Sequence, residues 1–310
     1  MQKLSRLVLP HIVSGIVSAR RSAHDRLFES LNDLEFITRK IDNVDQSCTV
    51  ELQILSEPPF FQLLAGEAHR FLLASAVSKQ RSFQQQEDNA AWQVIEHYYA
   101  AYYAIHYLIR ISGIGLCNLD SSSVSRIEQC CYGASAGING APVRGLYTIK
   151  YNVDTQVLTM RKPQARSGGS HVDAWRLWVE FIDRLVAHLE KDMSEYASEA
   201  LLLSLHKSFV QRSVGHFNPP ILRGEINYQF KGGVWPFERN STNSIRSLKN
   251  SILAPLNRSL ESLTPWEGLV ENNKIIMDLA ARTFDHAADS YPKSICRSLK
   301  NKHKKLLEYS

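Results

Sequence analysis

The stretch AAWQVIEHYYAAYYAIHYLIRISG, residues 90–113, decides how the fold is read. At helical spacing Trp92, Ile95, Tyr99, Tyr102, His106 and Ile109 share one side, while Val94, Tyr98, Ala101, Ile105 and Leu108 share another. A helix that is apolar over most of its circumference has to be covered on nearly every side. The pattern therefore predicts the central helix of a mainly helical domain, ended by Gly113 and Gly115. His97 and His106 ride on this helix and read first as hydrogen-bonded core residues. With the neighbouring Glu96, His97 is also a secondary candidate for a group leaning into a cleft.

Working outward, helical periodicity predicts helices over 60–82, 172–191, 196–210, 245–260 and 272–287, and one long helix or two shorter ones over 14–40. The alternation of Val50, Leu52 and Ile54 predicts a short strand, stopped by Pro58 and Pro59. In LYTIKYNVDTQVLTMRK, residues 146–162, two alternating runs flank a turn near Asn152–Thr155, which predicts a β-hairpin. Residues 84–89 form a polar break in which Asp88 or Asn89 caps the next helix, and ARSGGSH, 165–171, reads as a joint. The segment QRSVGHFNPPILRGEINYQFKGGVWPFERN, 211–240, reads as irregular chain between helices. The basic KNKHKK at 300–305 reads as an ordinary solvated helix end as readily as a phosphate contact.

With 310 residues and 44 % apolar composition the chain fills one large domain or two small ones. A net charge of +5 permits contact with nucleic acid without requiring it. Five cysteines without a CxxC pair point to a reducing, cytoplasmic setting and away from a zinc site. The apolar run from Leu7 to Val17 is broken by Pro10 and His11, so it reads as a folded segment, and no run approaches the ~20 apolar residues of a membrane span. No HExxH and no carboxylate cluster suggests a metal, and no cofactor is expected. GASAGING, 133–140, has the wrong glycine spacing for a phosphate loop. Its Ser135 sits in a GxSxG spacing, but without the strand a nucleophile elbow needs, so a serine hydrolase is disfavoured.

HYYAAYYAIHYLIRISG, residues 97–113, resembles the Tyr- and Ala-rich core helix of HEPN (higher eukaryotes and prokaryotes nucleotide-binding) domains of prokaryotic toxins and defence proteins. Downstream, LRGEINYQF places Arg223, Asn227 and Tyr228 where that family carries an Arg followed within a few residues by a His. The resemblance covers roughly 88–287. It implies a mainly α, up-and-down helical bundle at 88–310 with an inserted β-hairpin near 145–161, preceded by an N-terminal helical extension, 1–87.

In activity it implies a metal-independent ribonuclease, in which Arg and His converge at a homodimer interface and the 2′-hydroxyl attacks the adjacent phosphate. Such chemistry needs a proton carrier and a cation for the crowded phosphorane. The catalytic candidates are Arg223, Asn227 and Tyr228. No His follows Arg223 at the family's spacing, and Arg212 with His216, in RSVGH, is a second candidate pair one residue short of it. The expected protein is thus an RNA-cleaving or RNA-binding effector of an anti-phage or toxin-antitoxin system, working as a homodimer with RNA and with an antitoxin or defence-system partner. The alternative is a non-catalytic dimeric scaffold that binds a nucleotide or a protein and keeps the altered motif for structure.

Overall fold

The structure, a computed structural model, describes residues 2–21, 31–44, 47–83, 90–131, 137–162, 169–189, 193–239, 241–256 and 265–307. Asp88, Asn89, Ser135 and positions 165–168 of the expected joint lie outside the described residues. In chain order the elements are α1 (Gln2–Val8), α2 (Ser14–Val17), β1 (Phe36–Val44), β2 (Ser47–Ile54), α3 (Glu57–Ser82), α4 (Ala90–Ile111), β3 (Ile114–Leu119), α5 (Ser121–Gln129), β4 (Ile138–Asn139), β5 (Gly145–Asn152) and β6 (Val157–Lys162). They continue as α6 (Gly169–Leu189), α7 (Met193–Val210), β7 (Gln211–Ser213), β8 (His216–Phe217), α8 (Asn218–Gln229), α9 (Ser241–Leu253), α10 (Pro265–Ser290), α11 (Ile295–Lys302) and α12 (Lys304–Leu307).

The expected hairpin is present as β5 and β6, but it is no insertion into a bundle. It forms the middle of a six-stranded mixed sheet in the order β3-β5-β6-β2-β1-β4. Every pairing is antiparallel except β1 with β4. Three strands of this sheet, β1, β3 and β4, go beyond the expected hairpin and the expected strand at 50–54. β1 falls where a helix over 14–40 is expected. Leu34 and Ile37 continue the helical spacing of Leu27 and Leu31, yet the chain from Phe36 onward pairs with β2, with a register shift between Thr38 and Lys40. β3 starts directly after the expected helix end: Gly113, at φ +71°, turns the chain so that Ile114–Leu119 runs back along β5. The residues before position 87 are consequently not a helical extension. β1 and β2 share one sheet with the hairpin, α3 packs along α4, and all of them contribute to one hydrophobic core.

α4 is central, as its composition requires. It contacts α3, α6, α8, α9 and α10, and Tyr98, Ala101, Ile105, Tyr107 and Leu108 are fully buried. A second, smaller core gathers Val94 and Ile95 of α4 with Ile226, Leu248, Leu269 and Val270 from α8, α9 and α10. Tyr99 packs against both cores, so the middle of α4 marks the seam between them. Trp92 departs from the expected buried stripe, with 49 % of its surface exposed. At the C-terminal end, Lys300 of the basic tail pairs with Asp285 and Asp289. No helix among the described residues is long and apolar enough to cross a membrane.

Candidate functional site

The segment 211–240 is not irregular chain: it holds a small β7-β8 hairpin and then α8. Pro219 and Pro220 stand in the first turn of α8, where a missing N–H is harmless and a fixed φ helps. The Asn218 amide donates to the Phe209 carbonyl at 2.6 Å and so seats the helix start on the end of α7. Held this way, α8 reaches across to α4 with Arg223. Its Nη2 donates to the Tyr99 hydroxyl at 2.5 Å and its Nη1 to the Tyr228 hydroxyl at 3.2 Å. The guanidinium lies over both rings, 5.4 Å from the Tyr99 centroid and 5.1 Å from that of Tyr228. Burial works against the charge, but the bonds to Tyr228 and Tyr99 outweigh it and raise the Arg223 pKa above its ordinary value. Nε is enclosed and has no hydrogen-bond partner among the described residues. An arginine held by phenols rather than by a carboxylate keeps its charge uncompensated for an incoming anion.

The second member is His171, at the end of the segment 165–171 whose composition predicts a joint. It belongs to the first turn of α6, and its Nδ1 lies 3.0 Å from the Tyr98 hydroxyl. The imidazole packs against Tyr102 at 4.5 Å between centroids and against Tyr99 at 5.8 Å. Burial first, and then the nearby Arg223 charge, push its pKa below the ordinary 6.5, so the ring is neutral at pH 7. Tyr98 also receives the indole N–H of Trp175 at 3.2 Å, and its burial pushes the phenol pKa up, which keeps it protonated. The cluster rests on the spacing of α4: Tyr98 and Tyr102 are one turn apart, as are Tyr99 and Tyr103, so two rows of phenols line the seam between α6 and α8.

The remaining candidates fall differently. Asn227 is half-buried one turn beyond Arg223, and Tyr228 is 68 % exposed beside it. Arg212 and His216 are exposed on the β7-β8 hairpin and do not join the cluster. His97 follows its first reading as a hydrogen-bonded core residue rather than leaning into a cleft: it is buried against α10, where the Asn273 amide lies 3.3 Å from Nδ1, and its burial lowers its pKa to about 3. Glu96 pairs instead with Arg81 at 3.6 Å. The tyrosine doublets were the available signal for the missed residues; His171 offered only its place after Gly169, at a helix start.

Beside Arg223 the chain builds an exposed aromatic surface. The backbone N–H groups of Gly233, Val234 and Trp235 all donate to the Glu238 carboxylate, at 2.8, 3.0 and 2.9 Å, which folds the loop after α8 into a tight bend. The bend stacks Trp235 on Phe237, with centroids 5.5 Å apart, and sets Trp235 edge-on to Trp92 and Phe230. Phe230 ends α8 in the left-handed region, φ +50°, where glycine is usual. Phe230 and Phe237 are exposed by 52 % and 67 %, so the bend presents an apolar aromatic surface to solvent. Replacing Glu238 with Ala is expected to free this loop: proteolysis after Phe237 accelerates while the melting temperature falls by only a few degrees, about 1 kcal/mol. Unchanged proteolysis would show that the loop is held by its ring contacts alone.

Among the described residues no group of three or more His, Cys, Asp or Glu side chains is placed to hold a metal ion. No family model, no curated protein and no solved structure matches the chain.

Proposed function

We propose that the cluster of Arg223, His171, Tyr99 and Tyr228 binds and cleaves RNA without a metal, by attack of a 2′-hydroxyl on the adjacent phosphodiester. The observation that carries the reading is the placing, on one tyrosine-lined seam, of a neutral imidazole and a guanidinium that pairs with no carboxylate among the described residues. In this reading Arg223 holds the non-bridging phosphate oxygens and stabilises the added charge of the phosphorane. The reading takes the His171 tautomer with its proton on Nδ1, the nitrogen facing Tyr98, so that the lone pair on Nε2 accepts the 2′-hydroxyl proton. The new bond joins O2′ to phosphorus, the bond to the 5′-oxygen breaks, and Tyr228 gives that oxygen its proton. The products are a 2′,3′-cyclic phosphate and a 5′-hydroxyl. Arg and His come from one chain here, so the reading departs from the resemblance in needing no composite cleft between two subunits. An effector role in defence or as a toxin, with a dedicated inhibitor, extends the proposal in line with that resemblance.

The aromatic surface supports the choice of a single-stranded polynucleotide, because rings beside a cation stack on any base. Substituting Phe237 or Trp92 with Ala is expected to weaken binding of a fluorescent single-stranded RNA by about 1–3 kcal/mol each, with little change for duplex RNA. Equal affinity for both variants and the parent would remove the surface from the proposal. The direct test incubates the protein with total bacterial RNA in EDTA and sequences the fragment ends. Cyclic phosphate ends that require both Arg223 and His171 support cleavage; intact RNA, with the protein folded, moves the assignment to the scaffold alternative.

A further inference from the structure

A cavity of about 310 Å³ lies where α6 packs over β3 and β5. The alternation of β5 and β6 sends Ile149, Tyr151, Leu158 and Met160 into the core and sets Thr148, Lys150, Thr159 and Arg161 on the opposite face. Register then brings two cations together. Lys150 stands opposite Thr159 and Thr148 opposite Arg161, so Lys150 and Arg161 are diagonal neighbours on adjacent strands. From above, α6 adds Arg184, while the buried Leu177 and Ile114 give the cavity an apolar floor. Lys150 and Arg161 are exposed to solvent and Arg184 is half-buried. Burial pulls the Arg184 pKa below its ordinary value, although Glu180, one helical turn earlier, works the other way. The guanidinium still carries its charge at pH 7.

Among the described residues none of these three cations makes an ion pair, and the neighbouring Asp183 is engaged by Lys207 at 2.5 Å. Like charges gathered on one face repel one another. β5 and β6 are interior strands of the sheet, so the charges do not guard an edge. Three cations from three elements face the single carboxylate of Glu180 in the lining, an excess of two positive charges. Glu51 of β2 stands beyond Thr159, outside the lining, and leaves the balance positive. The excess selects a dianion. A phosphate monoester, whose second pKa is about 6, carries two negative charges at pH 7.5, whereas a phosphodiester carries one. Around the cations the lining suits hydroxyl groups. Asn152 spends its Oδ1 on the Thr155 N–H and keeps its amide NH₂ as a donor, Thr159 adds a hydroxyl, and Glu180 adds an acceptor.

We propose that this cavity binds a small phosphate monoester with a hydroxylated body, its phosphate held by Lys150, Arg161 and Arg184 and its hydroxyl groups meeting Glu180, Asn152 and Thr159. His171 opens α6 and Arg184 follows thirteen residues later, about 20 Å along the helix. The lining shares no residue with the Arg223 cluster, so the site stands without the RNA reading.

The test titrates the full chain by calorimetry at pH 7.5 with ribose 5-phosphate, inorganic phosphate, dimethyl phosphate and ribose. Ribose 5-phosphate is expected to bind saturably and more tightly than inorganic phosphate, with dimethyl phosphate and ribose at least tenfold weaker. Lys150→Gln and Arg161→Gln change exposed side chains that the fold does not need, as circular dichroism checks. Each is expected to weaken the ester roughly tenfold, the loss of one charge-assisted bond. No saturable binding of ribose 5-phosphate would overturn the assignment, as would dimethyl phosphate binding as tightly as the ester. Inorganic phosphate binding more tightly than the ester would overturn the hydroxyl contacts and with them the class. Ester affinity untouched in a folded double variant would place binding elsewhere. Single-stranded RNA that binds more tightly than the ester and loses that affinity in the double variant would reassign the cations to a polynucleotide backbone.

Discussion

Taking the protein from pH 7 to pH 5 is expected to remove about 8 kcal/mol of folding stability, enough to unfold it near pH 5. Four histidines set this expectation. His69, His97, His106 and His206 are all buried, and burial is the largest cause lowering each pKa, to about 4, about 3, about 3 and about 4. His206 shows what holds such a ring neutral. Its Nε2 accepts the Trp178 indole N–H at 2.9 Å, and its Nδ1–H donates to the Asn272 carbonyl oxygen at 2.6 Å, so neither nitrogen has room for a further proton. As pH falls below 6.5 the unfolded chain takes up protons at all four sites while the folded chain refuses them until its own, lower pKa values are reached. The unfolded state then binds more protons, and stability falls as pH falls, by about 1.4 kcal/mol per pH unit for each histidine. Carboxylates add to acid unfolding only at lower pH, so the window from 6.5 to 5 belongs to the histidines. Urea midpoints measured every half unit from pH 7.5 to 5 check this. A flat profile would mean that the buried rings titrate as free histidine does. Replacing His206 with Gln, which keeps one donor and one acceptor, should lower stability at pH 7 yet reduce the slope by about a quarter.

Part of this architecture was legible in the sequence because single elements carry their own period. α4 has an apolar surface that only a buried helix can satisfy, and it sits where that surface demands. The β5-β6 turn is fixed locally by the Asn152 side chain, which accepts the Thr155 N–H at 3.1 Å, and its alternation named it as a hairpin. What the hairpin joins could not be read in the same way. β1 and β2 find it across about a hundred residues of sequence, β3 is six residues long with no alternation, and β4 has two. Register with a distant partner leaves no local period. The site divides along the same line. Arg223 and Tyr228 stood out by their place after a pair of helices, and the structure joins them. His171 and Tyr99 reach Arg223 only because α6 and α8 pack on one helix. No spacing along the chain records that packing.

Arg223 and His171 therefore make the sharper prediction. Arg223→Ala is expected to lower kcat/KM for RNA cleavage by about 10²–10³-fold, the loss typical of removing one preorganised donor from a developing anion. His171→Asn should cost about 10²–10⁴-fold, because an amide holds the hydrogen bond to Tyr98 but carries no proton at neutral pH. The double variant should be hardly slower than the worse single one, since groups acting on one transition state are not additive. Arg223→Lys keeps the charge yet loses the paired bonds to Tyr99 and Tyr228, and is expected to recover only part of the activity. A readout that packing alone would not move is the titration of His171. With Arg223 in place its pKa lies below 6.5, so the base is already deprotonated at neutral pH and the rate is flat above it. Arg223→Gln removes the nearby charge, which moves the His171 pKa upward and carries the acid limb of any residual activity with it. Nuclear magnetic resonance of the His171 ring from pH 7.5 to 5.5, above the range of acid unfolding, measures that shift directly. If the ring titrates identically in both proteins, Arg223 does not act on His171, and the pair is no catalytic unit.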